Sequence, residues 1–278
     1  MCLLRLHQSE RRGTPLTRGL KFNINEELLS NIEKSTGRIH QVDLLDDQGW
    51  TSTVHKISAE NGLYILKSSF KEKYREWLKT EAEVLKNLKG QHEIPVPFYI
   101  DYIEAADQNH LLMTFEKRVT LTKALRDAGS KNEKKHLMKS FGKLLGRLHG
   151  TSSPHFNWNI NWLEGELKRA ERYLEAGECD GDRVLFEKLK INSLPEIRQT
   201  LIHGDCTTDN VMVTEGKVSL FIDVAGMTVG DPRYDVALAL RKVMADSELT
   251  EAFYEGYERF RLSSKEFNYF ENGLYEFF

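Results

Sequence analysis

Asp205, Asn210 and Asp223 fall within one short stretch. The first sits in His203-Gly204-Asp205, the second lies five residues on, and the third closes the apolar run Ser219-Leu220-Phe221-Ile222-Asp223. One carboxylate can accept a proton from a hydroxyl. An amide oxygen and a second carboxylate supply the oxygen donors that a hard cation such as magnesium prefers, with coordination sites left for phosphate oxygens. These are the groups needed to move a phosphoryl group from ATP to a hydroxyl. They must first be gathered. Residues 211–213 and 218–222 have the composition of strands, and Thr214-Glu215-Gly216-Lys217 between them reads as a hairpin turn. Such a hairpin folds Asp223 back beside Asp205 and Asn210, with Asp205 left to meet the attacking hydroxyl.

A lone His-x-Asp triplet occurs in many loops, where the histidine packs in a turn and the aspartate caps a helix. The restrictive feature is the whole series: His203-x-Asp205-x-x-x-x-Asn210, a hydrophobic hairpin, Ile222-Asp223, then Asp231-Pro232-x-x-Asp235. On these residues the chain resembles the aminoglycoside phosphotransferase and choline kinase-like family, within the protein-kinase-like fold. The resemblance is strongest over residues 201–240 and extends more loosely from about residue 40 onward. Protein kinases carry a related H-R-D-x-x-x-x-N loop and D-F-G segment. Here Gly204 takes the second position, Val224-Ala225-Gly226 follows Asp223, and no A-P-E segment comes after it. These departures favour the small-molecule branch. The resemblance implies an α+β, bilobal protein-kinase-like fold, with a small β-rich N-lobe over 21–116 and a larger helical C-lobe over 117–278. It implies transfer of the ATP γ-phosphoryl group to an alcohol, with Asp205 as catalytic base, Asn210 and Asp223 as metal ligands, and His203 and Asp235 as scaffolding. Asp235, at the start of Val236-Ala237-Leu238-Ala239-Leu240, would hydrogen-bond backbone N–H groups of the catalytic loop.

The nucleotide contacts implied by the resemblance fall in the N-lobe. Lys67 ends Leu63-Tyr64-Ile65-Leu66-Lys67, and Glu81 follows on a predicted helix. In kinases a strand lysine meets the α- and β-phosphates and a helix glutamate orients it, so those roles go to Lys67 and Glu81. Glu83 is turned about 200° from Glu81 around a helix. The loop Gly49-Trp50-Thr51-Ser52-Thr53-Val54 has one glycine where G-x-G-x-x-G has three. Backbone N–H groups and the hydroxyls of Ser52 or Thr53 can still meet phosphate oxygens, although the loop alone is only a hairpin turn. His110-Leu111-Leu112-Met113-Thr114-Phe115-Glu116 looks like the hinge, with backbone groups near Thr114 and Glu116 reading adenine. Met113 would line the adenine pocket, though an apolar strand residue is more often core. The family often has a glycine soon after this point; Lys117-Arg118-Val119 has none. ATP is the expected donor, with GTP open because some relatives prefer it, and Mg2+ is the expected cofactor.

The elements that must carry these groups are legible as patterns. Asn25 can cap a short helix over 24–36 with Leu28, Leu29 and Ile32 on one face. Strands are expected over 41–45, 51–57, 63–67, 98–104 and 110–115, and a helix over 72–88. From Leu121 onward the pattern turns helical. Leu137, Phe141, Leu144, Leu145 and Leu148 form one stripe, and 161–177, 180–191, 233–244 and 247–260 also read as helices. Asp231-Pro232 caps the helix expected near Arg233, and Asp209 faces water. The ATP cleft is expected between the lobes, which join near residues 114–120.

Composition narrows the field. A chain of 278 residues that is 40% apolar can bury a full core. No apolar run reaches membrane-spanning length, and the Cys2-Leu3-Leu4-Arg5-Leu6 patch is too short for a secretory signal. Residues 1–20 are expected to form a loosely ordered tail. Three scattered cysteines, Cys2, Cys179 and Cys206, argue against a disulfide scaffold and for a cytoplasmic protein. No basic face suggests nucleic acid. A metal-dependent hydrolase built on His203, Asp205, Asp209 and Asp223 would call for further histidines at defined spacing, and the nine present show no H-x-H or H-x-x-x-H pair. A non-catalytic kinase-fold module would be expected to have lost Lys67, Asp205 or Asp223. All three are present.

The resemblance implies a small hydroxyl compound as acceptor. An aminoglycoside-like molecule ranks first on resemblance, ahead of choline, homoserine, thiosugar or fructosamine. Residues 231–278 hold 10 acidic against 6 basic side chains, which would suit a cationic acceptor or simply form a solvated helical surface. Acceptor pockets in the family are built from the segments matching 155–195 and 246–278. These offer Trp158, Trp162, Glu164, Glu166, Tyr254, Glu255 and Tyr257 for charge pairing and cation–π contact. Phe253, Tyr257 and Phe260 at i, i+4 and i+7 also fit a core-facing stripe.

Overall fold

The computed structural model describes residues 25–46, 48, 49, 51–152, 156, 161–192 and 194–278. The expected tail over 1–20, Trp50 of the phosphate loop and Trp158 lie outside the described residues. By internal contacts the chain forms two compact units, Met1–Lys79 with Ile100–Phe115, and Thr80–Tyr99 with Glu116–Phe278.

In the first unit, α1 (Glu26–Thr36) opens on Asn25, whose side chain accepts the Leu28 N–H. This satisfies one of the amides that a helix start leaves without a partner. Leu28 and Ile32 are buried and Leu29 half-buried. The strands β1 (Ile39–Leu44), β2 (Thr53–Ala59) and β3 (Gly62–Ser69) precede α2 (Glu72–Asn87), and β4 (Tyr99–Glu104) and β5 (Asn109–Thr114) follow it. They make one five-stranded sheet ordered β1-β2-β3-β5-β4. Antiparallel pairing of β2 with β3 closes at Ala59 opposite Gly62, across Glu60-Asn61. One face of this sheet packs Ile57, Tyr64, Leu66 and Leu112 against Leu28 and Ile32 of α1. Lys67 lies opposite Val54 on one side and Leu111 on the other.

His110 sits inside this unit with its Nδ1 2.8 Å from the Ser68 hydroxyl. Burial pushes its pKa down to about 4, Asp107 opposes the shift, and the neighbouring His55 adds to it. Because the folded pKa lies below the usual 6.5, the unfolded chain binds the extra proton first as pH falls. Stability contributed by neutral His110 is therefore whole above about pH 6.5 and is lost towards pH 4, about 2 kcal/mol of it between pH 7 and 5. Urea titrations at those two pH values should show this loss, and His110→Gln should flatten it. An equal slope in both proteins would exclude His110 as the source.

The second unit takes in residues 80–99 because that segment buries Ala82, Val84, Leu85, Leu88 and Ile94 and because the Pro95 carbonyl accepts the Phe221 N–H at 2.9 Å. A two-residue strand that no sequence pattern marks, β6 (Val119–Thr120), leads into α3 (Leu121–Asp127), capped by Thr120. Next come α4 (Lys131–Gly150), α5 (Trp162–Ala176) and α6 (Arg183–Ile191). All five members of the predicted α4 stripe are buried. The strands β7 (Thr200–Ile202), β8 (Val211–Thr214), β9 (Lys217–Phe221) and β10 (Thr228–Gly230) follow, with β6-β8-β9 forming one sheet and β7-β10 another.

The helix α7 (Pro232–Leu240) is buried over its whole length, which explains its continuous apolar run. It ends four residues before the expected boundary. The next helix, α8 (Ser247–Tyr257), stops at Glu258 in a left-handed conformation. A further helix, α9 (Ser264–Phe270), starts at a capping box formed by Ser263 and Glu266. A Cβ added at Gly142 of α4 would overlap the Phe253 carbonyl, and one at Gly256 of α8 would overlap that of Lys139. Glycines at these positions let the two helix backbones touch. Among the described residues no helix is long and apolar enough to cross a membrane.

Candidate active site

The loop after β7 holds His203, Gly204 and Asp205, and a buried carboxylate from α7 fixes it. Asp235 Oδ2 accepts the His203 N–H at 2.7 Å and Oδ1 accepts the Gly204 N–H at 2.9 Å. The His203 ring continues the bracing. Its Nε2 donates to the Ile222 carbonyl at 2.9 Å, and its Nδ1 receives the Asp205 N–H at 3.2 Å. A carbonyl only accepts and a backbone amide only donates, so these partners select the Nε2–H tautomer. His203 therefore ties the start of this loop to the residue just before Asp223. Gly204 lies at φ 81°, and a Cβ there would overlap the Gly226 carbonyl oxygen. The backbone of the Asp205 loop thus lies directly on the Val224-Ala225-Gly226 turn, which leaves no space for the side chain that protein kinases carry at this position.

The hairpin of β8 and β9 turns at Glu215-Gly216, both at positive φ, a geometry suited to the right-handed twist of the strands. It brings Asp223 close enough for its charge to bear on Asp205. Asp223 itself adopts a left-handed backbone conformation, φ 57° and ψ 52°, where the strand breaks into a 3₁₀ turn over Val224–Gly226. From the other side, Asn210 Nδ2 donates to the Asp205 backbone carbonyl at 2.9 Å and to Asp205 Oδ2 at 2.7 Å. Burial, the largest effect, pushes the Asp205 pKa up; the Asp223 charge adds to it, and Asn210 and Arg241 oppose it.

The family model described as "phosphotransferase enzyme family" matches residues 44–271, which include this loop and hairpin. The chain belongs to the phosphotransferase enzyme family. Over 254 residues the phosphotransferase is 25% identical to an aminoglycoside 3'-phosphotransferase of Enterococcus faecalis, covering 84% of this chain and 91% of the relative. A solved aminoglycoside-3'-phosphotransferase of type VIII superposes with a TM-score of 0.72 at 19% identity, over 91% of this chain and 98% of that one. The streptomycin–ATP–APH(2")-IIa ternary complex superposes with a TM-score of 0.61 at 18% identity, over 88% and 87%. These likenesses give the phosphotransferase a protein-kinase-like α+β fold.

The donor set suits a hard divalent cation. Asn210 spends its amide nitrogen on Asp205, which turns Oδ1 away from that carboxylate, and Asp223 supplies the charge. Among the described residues no group of three or more His, Cys, Asp or Glu side chains could hold a metal. The ligands that the hydrolase alternative would need are otherwise engaged: both His203 nitrogens are bonded, and exposed Asp209 pairs with Lys242 rather than simply facing water. The Cys206 thiol is buried and its pKa pushed well up by desolvation, which makes it a poor nucleophile.

Of the residues expected to meet nucleotide, Ser52 has its hydroxyl 2.7 Å from that of Ser69, Thr53 starts β2, and Met113 is buried in β5 opposite Ile65. Thr114 ends β5, and Glu116 pairs with Arg118 at 3.3 Å. Glu81 is buried on α2.

Most of the aromatic and acidic groups suited to an acceptor prove to be structural. Trp162 is buried against Tyr234, ring centroids 5.2 Å apart. Tyr254 is buried and its hydroxyl receives the Leu262 N–H at 3.2 Å. Tyr257 is 1% exposed and meets His149 Nδ1 at 2.7 Å. Glu164 and Glu255 sit in surface ion pairs with Lys168 and Lys139, and Glu166 pairs with Arg169. The i, i+4, i+7 spacing thus marks core, because one face of a helix packed on α4 has no access to solvent.

Four residues that the sequence does not point to complete the site. His149, at the end of α4, places Nε2 3.1 Å from Asp235 Oδ2, and its one sequence signal is a polar side chain on an apolar stripe. Tyr275 places its hydroxyl 3.4 Å from Asp205 Oδ1. Arg241 lies over the Tyr275 ring, 4.6 Å from the centroid, and pairs with Glu271 at 3.0 Å.

Proposed function

We propose that this phosphotransferase moves the γ-phosphoryl group of ATP to a hydroxyl of an aminoglycoside-like acceptor. The observation that carries the reading is that Asn210 bonds Asp205 and the charge of Asp223 bears on it, in a loop braced by a buried carboxylate. Asp205 orients the acceptor hydroxyl and takes its proton late, since a loose transition state asks more for positioning than for a strong base. Asn210 through Oδ1 and Asp223 would hold magnesium. That ion, when bound, neutralises charge on the phosphates. Lys67 and Glu81 serve the non-transferred phosphates, the loop hydroxyls of Ser52 and Thr53 meet phosphate oxygens, and Met113, Thr114 and Glu116 read the base.

The acceptor class rests on the aminoglycoside 3'-phosphotransferase relative. A metabolic hydroxyl compound is the second reading, favoured by the burial of Trp162, Tyr254 and Tyr257, which removes part of the case for a cationic ligand. An ADP-release screen across aminoglycosides, macrolides, choline, homoserine and sugar amines, run with ATP and with GTP, separates the two. Aminoglycosides should stimulate release most strongly with ATP and magnesium. Stimulation confined to choline, homoserine or a sugar amine would overturn the acceptor assignment, and no stimulation by any hydroxyl compound would count against the transfer itself.

A further inference from the structure

The Asp205 carboxylate already has a hydroxyl partner within the chain. Tyr275, in the 3₁₀ turn Leu274–Phe277, brings Oη to 3.4 Å from Asp205 Oδ1, while Asn210 occupies Oδ2 on the opposite side. Oδ1 is therefore the oxygen that no amide engages, and the one offered to an incoming hydroxyl. The phenol is held in place from behind. Arg241 stacks on its ring, and Glu271 of the same segment fixes Arg241. The phenol is the donor in its contact with Asp205, and the carboxylate oxygen the acceptor.

We propose that the Tyr275 hydroxyl is an internal stand-in for the acceptor hydroxyl: it occupies Asp205 Oδ1 while no acceptor is bound, keeps water from that oxygen, and must be displaced before transfer. This rests on the reading of Asp205 as the catalytic base. It gives the enzyme a way to suppress wasteful ATP hydrolysis without a moving domain. In the suppressed reaction, water attacks the γ-phosphorus, its oxygen forms the new P–O bond, the bond to the ADP oxygen breaks, and the water proton passes to Asp205.

The test needs only ATP and magnesium, so it does not depend on the acceptor. Tyr275→Phe keeps the ring on Arg241 and removes the hydroxyl. Acceptor-free hydrolysis should rise about threefold to tenfold, the scale of one ordinary, long hydrogen bond. The Tyr275→Phe/Asp205→Asn double variant should fall back to or below the rate of the unmodified enzyme. An unchanged or lower rate in Tyr275→Phe would overturn the stand-in while leaving the assignment of Asp205 intact. A rise of equal size in the single and double variants would instead strike at Asp205 as the base. A Tyr275 that serves packing alone would lower thermal stability without raising hydrolysis, which also overturns the proposal.

Discussion

Asp205→Asn should fold, bind ATP with magnesium as tightly as the unmodified enzyme, and transfer phosphate about 10²–10⁴-fold more slowly, the contribution usual for a positioned general base. The substitution preserves shape, so the expected loss is chemical. An asparagine at 205 can still turn its oxygen to the Asn210 amide, which donates to Oδ2 at 2.7 Å, and His203 and Asp235 brace the loop through its backbone. What disappears is an oxygen able to take the acceptor proton. Single-turnover transfer alongside calorimetric titration of ATP separates the two effects. Turnover within tenfold of normal would remove Asp205 from the chemical step, and lost ATP binding would show that the variant damages the metal side as well.

The same bracing explains why parts of this site are legible in the amino-acid order and others are not. The pairing of Asp205 with Asn210 is local, and the hairpin that returns Asp223 is announced by Glu215-Gly216 between two apolar runs. Local geometry of that kind survives as spacing. Asp235 is legible for a different reason: a lone carboxylate opening a helix buried on every side needs backbone donors to satisfy it. Tyr275 and His149 leave no such trace. They meet Asp205 and Asp235 across 70 and 86 residues, and nothing in a periodic pattern reports which distant segment lands on a loop. The aromatic residues of α5 and α8 are ambiguous in sequence because a buried face and a ligand-facing one share the same period. Packing of α8 on α4 at Gly142 and Gly256 decides for burial. The short β6 leaves no mark because two residues carry no alternation.

Asp235→Asn should cost stability as well as turnover. The Asp235 carboxylate is fully buried and receives three donors: the His203 and Gly204 amides and the His149 ring. Tyr257 completes the chain by donating to His149 Nδ1. Its phenol stays protonated because burial pushes its pKa well up. An asparagine has one acceptor oxygen and one NH2 group. If the oxygen serves His203 and His149, the NH2 faces the Gly204 N–H, donor against donor. The opposite flip sets it against the His203 amide. Either way a buried donor loses its partner, at a cost of about 1–3 kcal/mol, and two charge-assisted bonds become neutral ones. A total of about 3 kcal/mol is expected. The residue that moves to relieve the conflict is Gly204, whose backbone lies on Gly226 with no slack, so the shift must be passed on to Asp205. A displacement of about 1 Å there is enough for a hundredfold loss in turnover. Thermal unfolding and kcat should therefore fall together in Asp235→Asn, whereas Asp205→Asn should lose kcat alone. Unaltered stability and turnover in Asp235→Asn would mean that the catalytic loop holds its shape without this carboxylate, and that Gly204 stays seated on Gly226 through its own packing.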